Sequence, residues 1–174
     1  MCIRDRSFAD VPAAAWYADA VQYVYENGLM TGVSESEFAP DGTATRGQIV
    51  TILWRLAGSP VVNYAMRYAD ADEGAWYGEA VRWAASTGVV TGYSESSFGP
   101  NDAITREQLA AILYRYIKTQ GQGFTGMWYF PLRYDDAASI SDWADEAMHW
   151  CVMKGVLNGT GETTLSPQLT ATRA

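Results

Sequence analysis

Thr45-Arg46-Gly47-Gln48 and Thr105-Arg106-Glu107-Gln108 each open an apolar run at helical spacing, and Thr172-Arg173-Ala174 repeats their beginning. Each follows a turn-rich segment containing a proline, so each reads as a helix N-terminus. In the two longer copies Thr at N-cap and Gln three residues on predict a capping box: the Thr oxygen accepts from the N3 amide, and the Gln side chain accepts from the cap amide. Ile104 and Leu109 are spaced for a hydrophobic staple. The arginine has no capping role. At N1 it faces the positive end of the helix dipole, at a cost of about 0.3 to 1 kcal/mol. Free amides, dipole and guanidinium together nevertheless make a place for an anion such as a carboxylate or phosphate. The alternative is that each arginine reaches a neighbouring Asp or Glu and only holds the fold.

Outward from these three points the whole chain repeats. Phe8-Ala9-Asp10 returns as Tyr68-Ala69-Asp70 and Tyr134-Asp135-Asp136, and Trp16-Tyr17 as Trp76-Tyr77 and Trp143-Ala144. After each tryptophan a short amphipathic helix is predicted, with Val21, Val24 and Tyr25, then Val81, Ala84 and Ala85, then Met148, Cys151 and Val152 on one stripe. Gly28, Gly88 and Gly155 stop these helices, as a left-handed cap requires. Two apolar residues and a turn follow (Leu29-Met30-Thr31-Gly32, Val89-Val90-Thr91-Gly92, Val156-Leu157-Asn158-Gly159), then Phe38-Ala39-Pro40, Phe98-Gly99-Pro100 and Leu165-Ser166-Pro167. These segments read as ordered loops with a very short strand pair. The second helix of each unit buries Ile49, Ile52, Leu53 and Leu56 in the first copy, and Leu109, Ile112, Leu113 and Tyr116 in the second.

The expected organisation is a leader at residues 1–7 foreign to the repeats, units at 8–60 and 61–120, a glycine- and aromatic-rich linker at 121–133 that packs across the units, and a third unit at 134–174 that stops before its second helix. The class is mainly α: one helix-loop-helix unit cannot bury its apolar faces alone, whereas three can, around a common axis or in a stack.

A net charge of −8 over 174 residues, with no basic cluster, argues against nucleic acid and against an anionic membrane surface. No apolar run has the length of a membrane span, and no signal-peptide core precedes the first repeat, so an export signal is expected outside this stretch. Cys2 and Cys151 make neither a disulfide framework nor a metal site, and Cys151 lies on an apolar helical face. Asp70-Ala71-Asp72-Glu73-Gly74 lacks the ligand offsets of a calcium loop. No cofactor motif is present. His149 is the single histidine and sits beside an apolar stripe, so a carboxylate-pair hydrolase acting through Asp70, Asp72 and Glu73 is the weaker hypothesis.

The ordered recurrence of aromatic-x-Asp, Trp, Gly-x-x-(Thr/Asn)-Gly, aromatic-x-Pro and Thr-Arg-x-Gln resembles three tandem S-layer homology modules, from Phe8 to Ala174. The resemblance implies a pseudo-threefold bundle and a non-catalytic, extracellular anchor of bacterial cell walls or S-layers. Its grooves would bind an anionic secondary cell wall polysaccharide, often pyruvylated, and the parent protein would carry a fused enzyme or coat domain. It assigns Thr45-Arg46, Thr105-Arg106 and Thr172-Arg173 to the ligand acid. Gly47-Gln48 and Glu107-Gln108 depart from the commoner Thr-Arg-Ala-Glu, which touches groove charge and selectivity. Trp16, Trp76 and Trp143 have two readings, a flat face for a sugar ring or core anchors, and the weight of aromatics in small cores favours the second. Asp10, Asp70 and Asp136 either meet sugar hydroxyls or cap the turn before the first helix, with the turn favoured. An accessory region of a wall glycan hydrolase and a protein-binding repeat are the alternatives.

Overall fold

The computed structural model describes residues 8–174; the expected leader, Cys2 included, lies outside the described residues. Five helices follow in order: α1 (Ala18–Glu26), α2 (Arg46–Leu56), α3 (Gly78–Thr87), α4 (Arg106–Thr119) and α5 (Asp145–Met153). Odd helices open a repeat, and α2 and α4 close one. Both predicted capping boxes form: Gln48 N and Gln108 N donate to the Thr45 and Thr105 hydroxyls, and the cap amides donate back to the Gln side chains. Gly88 ends α3 in the left-handed conformation at φ 72°, which only glycine adopts without a Cβ penalty.

Among the described residues no strand forms inside the loops. Single antiparallel bridges instead join different repeats: Thr43 to Thr172, Thr45 to Ala103, and Thr105 to Thr170. They surround a ring of three backbone hydrogen bonds, in which Ala44 N donates to Ala171 O (2.9 Å), Ala171 N to Ile104 O (2.8 Å) and Ile104 N to Ala44 O (3.0 Å). Each of these buried residues has one donor and one acceptor to satisfy, and a triangle satisfies one of each per repeat. Three equivalent segments closed on each other place the repeats around a common axis and rule out the stack.

Helices pack across repeats, α2 on α3 and α4 on α5. This changes which face of the second helix is buried. Val50, Thr51 and Leu53 are buried in α2, while Leu56, expected in the core, is 50% exposed. In α4 the buried residues are Glu107, Ala110, Ala111, Ile112 and Tyr114. Ala110 and Tyr114 join the core around Met148 and Cys151, whereas Ile112, Leu109, Leu113 and Tyr116 join the core around Val81 and Phe98. A helix shared by two cores buries two flanks, and one stripe underestimates it. The α1 flank has no such partner among the described residues: Tyr23 is 59% exposed, where its repeat equivalent Trp83 is 6%.

Residues 121–133 pack in part on the repeats. Phe124 and Leu132 join the core of the third repeat, and the Trp128 ring stacks on Phe124 at 4.1 Å. Met127 and Tyr129 are exposed.

Candidate functional site

Each of the three arginines crosses to the loop of the next repeat, and all three do so in the same way. Arg46 Nε donates to Phe98 O (2.9 Å) and Nη2 to Thr91 O (3.0 Å). Arg106 bonds Leu165 O (3.0 Å) and Asn158 O (2.5 Å) through the same two nitrogens. Arg173 closes the circle on repeat one, at Phe38 O (2.9 Å) and Thr31 O (2.8 Å). The partners are backbone carbonyls, so the alternative reading, an ion pair with a neighbouring Asp or Glu, does not hold: among the described residues no carboxylate lies within 4.0 Å of these guanidinium groups. Burial lowers the pKa of all three. Tyr93 and Asp102 oppose it for Arg46, Tyr134 and Asp136 for Arg106, and Asp10 for Arg173.

The helix-terminal amides, expected to be free for an anion, are taken. Arg46 N donates to Asp102 O and Gly47 N to Pro100 O; Arg106 N and Glu107 N donate to Leu169 O and Pro167 O; Arg173 N and Ala174 N donate to Gly42 O and Pro40 O. What remains for a ligand is the outer edge of the Arg106 and Arg173 guanidinium groups, which line cavities, whereas Arg46 is buried. Nη1 of all three makes no hydrogen bond among the described residues. Thr45 and Thr105 are occupied as caps, and the Thr172 hydroxyl donates to Ala174 O.

The tryptophans are not core anchors. Trp16 is 84% exposed, Trp76 57% and Trp143 55%, while the next residue, Tyr77 or Ala144, is buried. At the turn entering each first helix only one of two adjacent side chains can point inward, and the second of the pair does. Trp76 lines a cavity of about 360 Å³ with Thr31, Gln48, Thr51, Arg55 and Arg173. Trp16 lines one of about 780 Å³ with Arg106, Asn158, Gly159 and Leu169. Both cavities draw on three repeats: the first on residues 29–33 and α2, Arg173 and Trp76, the second on residues 156–160 and 169–174, on Arg106 and Leu109 of α4, and on Trp16 and Ile49.

The aspartates hold the loops rather than cap the turn before the first helix. Asp10 accepts from Phe38 N and Ala39 N, Asp70 from Phe98 N, Gly99 N and the Ser97 hydroxyl, and Asp136 from Leu165 N and Ser166 N. These amides flank a residue at positive φ, Ala39 (55°), Gly99 (68°) or Ser166 (53°), and the carboxylate fixes that conformation. The same loops supply the carbonyls that the arginines grip, so Asp and Arg hold opposite edges of one loop.

The Phe38 amide lowers the Asp10 pKa, and the amides of Leu165 and Ser166 lower that of Asp136. For Asp70 burial pushes upward, but the Phe98 and Gly99 amides and Ser97 outweigh it. A carboxylate with a depressed folded pKa contributes stability that is complete above its unfolded value of about 4 and is lost as pH falls through the folded value. The urea midpoint is therefore expected to hold from pH 7 to about 5 and to fall steadily below about 4. A midpoint unchanged at pH 3 would contradict the loop clamps.

Sequence reasoning missed two residues. Glu107, 3% exposed, accepts from Ser141 N, Ser141 Oγ and Gln168 Nε2, tying α4 to the third repeat. Its carboxylate is spent there and adds no charge to a groove. Tyr93 lies with its ring 4.3 Å from the Arg46 guanidinium carbon and covers it. The position after the glycine of each turn carried no signal, because Val33, Tyr93 and Thr160 share no property.

The family model described as S-layer homology domain matches residues 7–50, 67–110 and 133–174. Among curated proteins, the chain is 28% identical to an amylopullulanase of Thermoanaerobacterium thermosulfurigenes over 98% of its own length and 9% of that protein's. It is 29% identical to the surface-layer 125 kDa protein of Lysinibacillus sphaericus over 89% of this chain and 13% of that protein. The S-layer protein of Bacillus thuringiensis subsp. finitimus is 28% identical, over 97% of this chain and 20% of that protein. The chain thus spans a fifth or less of the length of these relatives.

Proposed function

The chain belongs to the S-layer homology domain family, and from that premise we propose that it is a non-catalytic anchoring module. It holds a larger protein at the bacterial cell surface by binding an anionic, pyruvylated secondary cell wall polysaccharide in the grooves beside its arginines. The observation that carries this is a charge without a counter-ion: Arg106 and Arg173 each line an open groove, have no carboxylate within 4.0 Å among the described residues, and lie beside an exposed tryptophan. A pyruvate ketal places a carboxylate on a sugar ring. The free guanidinium edge meets the acid and the indole face meets the ring, a division of labour for which both groups suit.

Two kinds of relative support the same role. A protein named as an amylopullulanase and others named as surface-layer proteins share this region, which spans 9 to 20% of their length. What they share is more naturally attachment than catalysis. The net charge of −8 opposes long-range capture of an anionic polymer, so affinity rests on local contacts and on more than one groove acting on the same chain.

Removing the ketal from purified wall polymer is expected to weaken binding about 10- to 100-fold, the range of one or two charge-assisted hydrogen bonds. Co-sedimentation or surface plasmon resonance with native and de-ketalised polymer measures it. Equal retention of the two polymers would overturn the carboxylate contact.

A further inference from the structure

The turn after each first helix demands a glycine. A Cβ at Gly32, Gly92 or Gly159 would stand 2.5, 2.4 or 2.6 Å from the main-chain oxygen of Ser34, Ser97 or Gly161. The residue before that glycine is exposed in all three repeats, so packing does not choose it. Repeats one and two place threonine there, Thr31 and Thr91, and the third places Asn158. Asparagine before glycine is a reactive pair, because no Cβ hinders the following main-chain nitrogen from reaching the side-chain amide carbon.

Asn27-Gly28 is the other such pair in the chain. It stands at the end of α1, where the helix holds both reacting groups: Asn27 Nδ2 donates to Tyr23 O (2.8 Å) and Gly28 N to Tyr25 O (3.0 Å). The Asn158 side chain and the Gly159 amide make no hydrogen bond among the described residues, whereas Gly92 N, the equivalent in the second repeat, donates to the Tyr68 hydroxyl (3.1 Å). The Asn158 carbonyl is one of the two that Arg106 grips, and the two residues line the same cavity.

From this contrast we infer that Asn158 is a site of spontaneous deamidation, and that the carboxylate it gains becomes the counter-ion that Arg106 lacks. Solvent hydroxide takes the proton of Gly159 N, and that nitrogen bonds to Asn158 Cγ. The Cγ–Nδ2 bond breaks and ammonia leaves with a proton from water, which restores the hydroxide and closes a five-membered succinimide. One water then opens the ring at either carbonyl, giving aspartate or, with the main chain rerouted through the side-chain carbons, isoaspartate. Both products carry one negative charge more than asparagine, on the residue that already touches the guanidinium. As the protein ages, the groove beside Arg106 thereby loses its attraction for an anion. This last effect rests on the glycan-binding function proposed above; the chemical step and the ion pair do not.

The folded 174-residue chain is incubated at mildly alkaline pH, sampled over time, cut with trypsin and weighed. Its Lys and Arg positions place Asn27, Asn63, Asn101 and Asn158 on four different peptides. The peptide with Asn158 is expected to gain the mass of an amide turned into an acid, and to split into aspartate and isoaspartate forms. It should do so about tenfold or more faster than the peptide with Asn27, the barrier of roughly one net hydrogen bond. In urea, where no helix end holds Asn27, the two rates are expected to converge. Asn158→Asp supplies the product directly. With Arg106→Met and the double variant it is expected to show a coupling of about threefold in the folding equilibrium constant, the size of an exposed ion pair. Wall polymer is expected to bind Asn158→Asp about three- to tenfold more weakly than wild type, since one of several grooves is lost.

Deamidation at Asn158 no faster than at Asn27 in the folded chain, or a ratio unchanged by urea, would overturn the site. Additive effects in the mutant cycle would remove the ion pair, and the ageing effect with it. Polymer bound equally by Asn158→Asp and wild type would remove the ageing effect alone. Were neither protein to retain polymer, glycan binding would fall, while the peptide rates and the cycle would still decide the site and its ion pair.

Discussion

Arg46→Met is expected to lower the unfolding free energy by about 3 kcal/mol, because two charge-assisted hydrogen bonds disappear and two carbonyls lose their partner. The side chain spans two repeats, bonding Phe98 O and Thr91 O from α2, and methionine keeps most of its apolar stem while removing the fork. Since Arg46 is 5% exposed, water does not readily replace it. Arg173→Met, at the half-buried equivalent, is expected to cost about 1 kcal/mol, because water can solvate the carbonyls it releases. Urea denaturation followed by tryptophan fluorescence measures both. A value within about 0.5 kcal/mol of wild type for Arg46→Met, as for a neutral surface change, would show that the latch contributes nothing. The consequence for function is practical: weakened glycan binding by an arginine variant reports ligand contact only when its stability is measured alongside.

Phe98→Ala is expected to cost about 3 to 5 kcal/mol, the range for a large aromatic removed from a core that cannot collapse around the space. The ring is fully buried, its centroid 5.3 Å from that of Tyr68 and 5.0 Å from the Arg46 guanidinium carbon. It thus supports both the core of the second repeat and the cation above it. Because the two side chains touch, Arg46→Met and Phe98→Ala should combine non-additively, with a coupling of about 0.5 kcal/mol or more. Additive effects would mean that the ring and the guanidinium are independent, and that the aromatic-x-Pro loop does not transmit core packing to the groove.

Much of the scaffold was legible because its signals are local. Thr45 and Gln48, or Thr105 and Gln108, are separated by a single helical turn, and the chain need only form that turn for the box to close. The glycine stops and the first-helix stripes are of the same kind. The second-helix stripe was misjudged, since Leu56 is exposed and Ala110 buried, because α2 packs into the core of the next repeat and α4 serves the next repeat as well as its own. The tryptophans were misjudged by a rule that counts apolar area and ignores direction. Trp16 and Trp76 have large rings, but Tyr17 and Tyr77 beside them occupy the inward position.

Sequence alone fixed the number of repeats, where their helices begin and end, and which residue types mark each motif, since capping, periodicity and turn chemistry act over a few neighbouring residues. Tertiary structure decided what those residues touch. Arg46 finds its carbonyl 52 positions away and Arg173 finds its own 135 positions away. The groove walls come from three repeats at once, and the Tyr93 ring of the second repeat covers the guanidinium of Arg46 from the first. Such contacts depend on the surface that another part of the chain presents, and no pattern within a single repeat encodes it.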